Sequence, residues 1–271
     1  MRHGPQPNVR VQDGFKEELL CDSCEQLLSS WESPAAEQLF KPYHADSSTV
    51  VNYGPWLAKL GASLAWRVLF VLKKRGLHNL SESQLKLADL ALESWRRFVV
   101  SERANPGSFE LHLLPVDFLE SFRGDGLPSN INRYLGRAIE MDVVAKKGSA
   151  FVYVKMARLV FIGVIEQPIN RQWRGSRLAI TKGVVQPSKY EVPSAFMDYV
   201  FSRAARMGEI MQSLSSRQKA KISETMKDNI DRAAQSETFQ AMTHDFAMFG
   251  SDAFAESDVP DSPSSEPTKK D

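Results

Sequence analysis

The sequence predicts an α+β fold: an N-terminal helical region, an antiparallel sheet of four or five strands, C-terminal helices and a disordered acidic tail. Three observations predict it. Apolar residues recur at 3–4 spacing through the first hundred positions, short β-rich runs with brief links follow, and the 3–4 spacing returns after Pro193. The expected units are residues 1–104 for the helical region, 105–249 for the sheet with its C-terminal helices, and 250–271 for the tail. At 271 residues, 42% hydrophobic and 25% charged, the chain can bury a sizeable core.

The first helix should begin near Asp22 or Ser23 and carry Leu27, Leu28 and Trp31. Pro34 should break or restart it, and Pro42 should end the apolar face continued by Ala35, Leu39 and Phe40, because proline lacks the helical N–H donor. Gly54-Pro55 opens a second helix to about Lys74. Leu57, Leu60, Leu64, Val68 and Leu72 form its stripe, and Trp56, Trp66 and Phe70 widen it, which marks a central helix. Arg67 within it should pair with a buried carboxylate or a carbonyl. Ser81 and Gln84 form a capping box for a third helix carrying Leu85, Ala88, Leu92, Trp95 and Val99.

Past Asn105-Pro106-Gly107 the periodicity changes to that of strands, at Phe109–Leu113, Ile139–Val144, Ala150–Lys155, Leu159–Ile165 and Leu178–Thr181. The short links Lys147-Gly148 and Ala157-Arg158 imply an antiparallel meander. Helix returns from about Pro193 to Leu214 with Phe196, Val200, Met207 and Met211 on one side. A further amphipathic helix places Ile222, Met226 and Ile230 four apart. From Gly250 onward serine, proline and acid dominate, the composition of a disordered segment.

A formal net charge of +1 gives no global basic field. Residues 251–271 hold six acids and two bases, a net of −4, so the remainder carries +5. Two cysteines do not make a disulfide framework; spaced C-x-x-C, they point to metal or redox chemistry in a reducing compartment. The first residues have no apolar run behind them. The segment Leu60–Leu72, interrupted by Arg67, falls short of the ~20 residues that span a bilayer. A cytoplasmic protein of bacterial type is therefore expected, with no membrane partner. There is no P-loop, Rossmann glycine fingerprint or nucleophile elbow.

Two constellations carry candidate chemistry. Cys21 and Cys24 offer two thiolates from one bend, half of a tetrahedral zinc site that His3, His44 or a partner chain would complete. The alternatives are two reduced cysteines at a helix start, or a redox pair. In the loop Asn170–Arg177, Arg171, Arg174 and Arg177 are placed to grip phosphates and Trp173 to stack a base. The alternative there is a solvated loop with Trp173 folded onto the core.

Several stretches resemble a bacterial family labelled HNH-endonuclease-like. They are Arg10-Val11-Gln12-Asp13-Gly14, Lys16-Glu17, Leu19-Leu20-Cys21 to Cys24-Glu25, Trp31-Glu32, Phe40, Pro42-Tyr43-His44, Tyr53-Gly54-Pro55-Trp56-Leu57 and Trp66-Arg67-Val68-Leu69. The resemblance covers mainly residues 10–75. It implies a treble-clef remnant in which Cys21-Asp22-Ser23-Cys24 matches the second zinc knuckle. The family's upstream C-x-x-C and Ser-His-hydrophobe-Pro segment has no counterpart here, so no catalytic histidine is carried onto any position. The resemblance implies a nucleic-acid-associated protein, catalytically inactive as written, with zinc as the one cofactor and DNA or RNA as partner. The alternatives are a non-enzymatic interaction module pairing through its C-terminal helices, including as a homo-oligomer, or a truncated HNH-type endonuclease whose start lies upstream.

Overall fold

The structure, a computed structural model, describes residues 2–3, 6–10, 19–123, 125–167, 172–186 and 190–254. The acidic stretch from 255 onward, Arg171 and the side chain of His3 lie outside the described residues.

Strands β1 (Arg2–His3) and β2 (Gln6–Arg10) pair antiparallel. Helix α1 (Asp22–Pro34) then runs through a π-helical turn, Ala35–Phe40, into α2 (Lys41–Ala45). Neither proline stops the helix, contrary to expectation. The amide of Lys41 bonds back five residues to the carbonyl of Ala36, and this wider turn takes Pro42 without an α-type donor. Strand β3 (Val51–Tyr53) precedes α3 (Pro55–Lys74) and α4 (Glu82–Val99). The capping box of α4 is present: Gln84 N–H donates to Ser81 Oγ at 3.3 Å, and Ser81 N–H donates to Gln84 Oε1 at 3.0 Å.

The main sheet has the order β4-β7-β6-β5, all antiparallel, from β4 (Leu111–Pro115), β5 (Ile139–Lys146), β6 (Ser149–Met156) and β7 (Leu159–Glu166). Helix α5 (Ile131–Arg137), unexpected from sequence, sits just before β5. The sheet is buried on both faces. Val152, Val154 and Phe161 face α3 and α4, while Phe151, Tyr153, Ile162 and Val164 face α5 and the later helix α6. That is why β6 and β7 read as unbroken apolar runs in an antiparallel sheet, where one wet face is common. Gly163 in β7 permits the closest approach. A Cβ there would lie 2.6 Å from Ala65 Cβ and 2.9 Å from the Trp95 ring.

The strand expected at Leu178–Thr181 is absent. Instead β8 (Gly183–Val185) pairs with β3, Val51 opposite Val185 and Tyr53 opposite Gly183. Segment 176–178 lies along β4: Leu113 N–H donates to Ser176 O at 2.9 Å and Leu178 N–H to Leu111 O at 2.8 Å. At the other side of the sheet, the central Val143 of β5 has both backbone groups tied to side chains. Its N–H donates to Asp142 Oδ1 at 2.8 Å and its carbonyl accepts from Asn79 Nδ2 at 2.6 Å. The carbonyl of Lys146, at the end of β5, accepts from Gln84 Nε2 at 2.8 Å.

Four helices follow: α6 (Ser194–Gln212), α7 (Ser216–Asp228), α8 (Ile230–Ala234) and α9 (Glu237–Phe249), the last also unexpected from sequence. A 3₁₀ turn, Gly250–Ala253, extends α9, so these first residues of the segment expected to be disordered from Gly250 have regular structure. Ala253 is buried and its carbonyl accepts from Arg133 Nη2. By length and composition α3 could cross a bilayer, but 56% of its most apolar window is buried in the core against the sheet and α4.

Candidate functional site

The C-terminal helices build an apolar groove. Met211, Leu214, Ile222, Met226, Ile230 and Phe239 line a cavity of about 660 Å³, with Lys219 and Lys227 beside them. Local signals fix where the helices start. Ser215 Oγ accepts from Gln218 N–H at 3.4 Å to begin α7, and Ser236 Oγ accepts from Phe239 N–H at 3.2 Å to begin α9. Neither α7 nor α8 buries a single residue. Ile230 is 66% exposed, Met211 47% and Phe239 44%. Of Ile222, Met226 and Ile230, expected on one helix, the first two lie on α7, while Ile230 opens α8 beyond a break at Asn229, and none of the three is buried.

This unit is fastened to the sheet domain through α9. Asp245 is fully buried and accepts from Asn132 N–H at 2.7 Å, Arg133 N–H at 3.2 Å and Arg133 Nε at 2.8 Å. Its carboxylate therefore caps the N-terminus of α5, where backbone donors have no partner of their own. A weaker tie is Glu237, which receives His44 Nδ1 at 2.8 Å and Arg137 Nη1 at 3.0 Å. Burial pushes the Glu237 carboxyl up, but its bonds with His44 and Arg137 outweigh it and leave it below the ordinary range. Glu237 and His44 border a polar cleft of about 560 Å³ that also holds Asp117, Arg158 and His244. Within it Arg158 pairs with Asp117, and Glu237 pairs with Arg137, which lies outside the lining.

Cys21 and Cys24 stand at the start of α1, Cys21 as the residue before its first turn. Cys21 Sγ lies 3.2 Å from Ser23 Oγ. That hydroxyl, then the Cys24 N–H, draws the Cys21 thiol down to about 7, while its contact with Cys21 pushes the Cys24 thiol up. Among the described residues no group of three or more His, Cys, Asp or Glu is placed to hold a metal. His44, one nitrogen expected to complete the zinc site, is engaged with Glu237 instead. Two thiolates alone do not fit a structural zinc, which takes four ligands. The pair's measurable property is thiolate chemistry. At neutral pH iodoacetamide should alkylate Cys21 roughly tenfold faster than Cys24, with the Cys21 rate climbing through pH 7, as read by peptide mass spectrometry.

The expected phosphate grip is differently arranged. Trp173 is 6% exposed, its ring packed against His112, Phe151 and Phe196. A base cannot stack on it there, so the alternative of a tryptophan folded onto the core describes it. Arg174 and Arg177 reach solvent, each beside a carboxylate, Glu191 at 3.4 Å and Glu110 at 3.0 Å respectively. His112 is buried, with Nδ1 3.0 Å from Ser176 Oγ and Nε2 3.7 Å from Glu110. Burial pushes it down to about 4, so the ring is neutral near pH 7.

Sequence reasoning passed over two other buried charges. Lys155 of β6 is fully buried, donating to the carbonyls of Leu135 and Ala157, with no carboxylate partner among the described residues. Beside it, Tyr134 donates to Glu140 Oε2 at 2.8 Å and Tyr199 to Asp142 Oδ2 at 2.8 Å, while Arg203 pairs with Glu140. The Tyr199–Asp142 and Arg203–Glu140 contacts, with Lys146–Asp198 at 2.5 Å, strap α6 across β5. The signals were faint: Lys155 continues the alternation Phe151, Tyr153, and Asp245 lies four residues after the buried Ala241 on the same helical face.

In comparisons with protein-family models, with curated proteins and with solved structures, nothing matches this chain.

Proposed function

We propose that this chain is a non-enzymatic interaction module that takes an amphipathic helix into the groove formed by α6 to α9. The observation behind this is α7, thirteen residues with an apolar stripe and nothing buried. Isolated helices of that length are marginal in water, so the stripe needs a surface to pack against. Contiguous exposed apolar residues rimmed by charge are a common mark of protein–protein contact. A groove lined by Met211, Ile222, Met226 and Phe239 suits the helix-in-groove mode, in which anchors at i, i+3, i+4 and i+7 insert. Burying an exposed Leu- or Met-sized side chain contributes about 1.5–3 kcal/mol, part of which offsets the entropy lost on association.

Nucleic-acid association has less behind it, because Trp173 is buried and Arg174 and Arg177 each face a carboxylate. The interaction reading fits a cytoplasmic protein, in which Cys21 and Cys24 persist as thiols.

Fluorescence anisotropy with labelled amphipathic helical peptides tests this. Saturable binding should weaken tenfold or more in Ile222→Asp, since a charge in an apolar contact costs upward of about 1.4 kcal/mol. Absence of saturable binding, or binding indifferent to Ile222→Asp, would overturn the proposal.

A further inference from the structure

Cys21 and Cys24 occupy the two positions that face each other where a helix begins. Cys21 precedes the first turn of α1 with an extended backbone (φ −82°, ψ 164°), and Cys24 is the third residue of the helix. At these positions a capping box pairs its two side chains, each reaching toward the other's backbone amide. Here both are sulfurs, and the two side chains are in contact. The Cys21 carbonyl accepts the first helical bond from Glu25 N–H at 3.0 Å. The Cys21 side chain can therefore turn toward Cys24 about its Cα–Cβ bond without unwinding α1. Cβ atoms three residues apart on a helix lie about 5–6 Å apart and a disulfide needs about 3.5–4.5 Å, so closure takes a shift on the order of 1 Å. The two sulfurs are not equivalent. Cys21 is exposed and Cys24 half-buried. The Ser23 hydroxyl, 3.2 Å away, and the Cys24 N–H both face Cys21 Sγ and favour a thiolate there.

We infer that Cys21 and Cys24 form a dithiol site that exchanges with disulfides, Cys21 attacking and Cys24 resolving. The Cys21 thiolate attacks one sulfur of a substrate disulfide, RS–SR. The Cys21–SR bond forms, the substrate S–S bond breaks, and the first RS⁻ leaves and takes a proton from water. Cys24 then loses its proton to solvent and attacks the Cys21 sulfur. The Cys21–Cys24 bond forms and the second RS⁻ leaves. Two electrons pass from the pair to the substrate, which is reduced to two thiols. The second step is intramolecular, so it outruns attack on a further substrate molecule. The exchange is stoichiometric and does not depend on the groove reading.

Glutathione disulfide at neutral pH tests this on the reduced full-length chain, with peptide mass spectrometry as the readout. The unaltered chain should lose two hydrogens, gain a Cys21–Cys24 crosslink and release two molecules of glutathione. Cys24→Ser should stop at the first step, with one glutathione held on Cys21 in a stable mixed disulfide. Cys21→Ser should form its adduct on Cys24 roughly tenfold more slowly. Neither cysteine is buried, so circular dichroism of both variants should match that of the unaltered chain. An unaltered chain that does not react, that keeps glutathione on both cysteines, or that links to a second chain in place of the internal crosslink would overturn the assignment. So would Cys21→Ser reacting as fast as Cys24→Ser.

Discussion

Asp245→Ala should cost about 3–5 kcal/mol of stability, toward the lower end because the Arg133 side chain is partly solvated. The substitution removes an acceptor and leaves three donors behind: the amides of Asn132 and Arg133 and the Arg133 guanidinium. It also removes the anchor that holds α9 to α5. Urea denaturation with circular dichroism would measure the loss, and hydrogen exchange should show its site. Amides at the start of α5 and along α9 should exchange much faster, while those of β6 and β7 keep their protection. Asp245→Asn retains one oxygen for the Asn132 amide and should cost less. Equal costs for the two substitutions would mean that packing, and not the capping carboxylate, holds α9.

The second expected result is a pH dependence that disappears in Lys155→Met. Burial pushes the ammonium of Lys155 down to about 7 from an ordinary 10.5. Between those values the unfolded chain binds a proton that the folded chain does not, so stability rises with pH across that window. The full rise is on the order of 5 kcal/mol, at about 1.4 kcal/mol per tenfold change in proton affinity. Tyr134, Tyr153 and Tyr199 are all pushed upward by burial, so near pH 10 and above they act in the opposite sense. The clean comparison is therefore between about pH 7 and 9. Methionine has similar length and no charge. It forfeits the bonds to the Leu135 and Ala157 carbonyls but should flatten the rise. Matched urea titrations of the two chains at several pH values would decide it, and parallel curves would count against the lysine.

Local signals made some elements legible and long-range contacts hid others. The capping box of Ser81 and Gln84 spans three residues and is written in the sequence. So are the tight turns at Gly148 and Ala157, whose φ angles of 73° and 50° close two successive hairpins. The α+β class followed from such local periodicities. By contrast α5 is only seven residues long, and its N-terminus is completed by Asp245 from a helix 113 positions later. The three-residue strands β3 and β8 make sense only as a pair, and neither alone has a run long enough to announce itself. Pro34 and Pro42 misled because the π-helical turn between them exists only in three dimensions. At the candidate site, the four-residue spacing marked Ile222, Met226 and Ile230 as apolar partners, but it could say neither that the helix would break at Asn229 nor that these residues would be left uncovered.

The handling of Val143 bears on a hazard common to open sheets. A terminal strand presents unpaired amides and carbonyls on which another chain can build, and fibrous aggregation begins that way. In β5 the groups of the middle residue are already satisfied by Asp142 and Asn79, and the carbonyl of Lys146 is taken by Gln84. An arriving strand would find the ladder interrupted at its centre and at one end. Asn79 and Asp142 thus occupy backbone groups that a second strand would need, a consequence quite separate from whatever their bonds add to the stability of a single molecule.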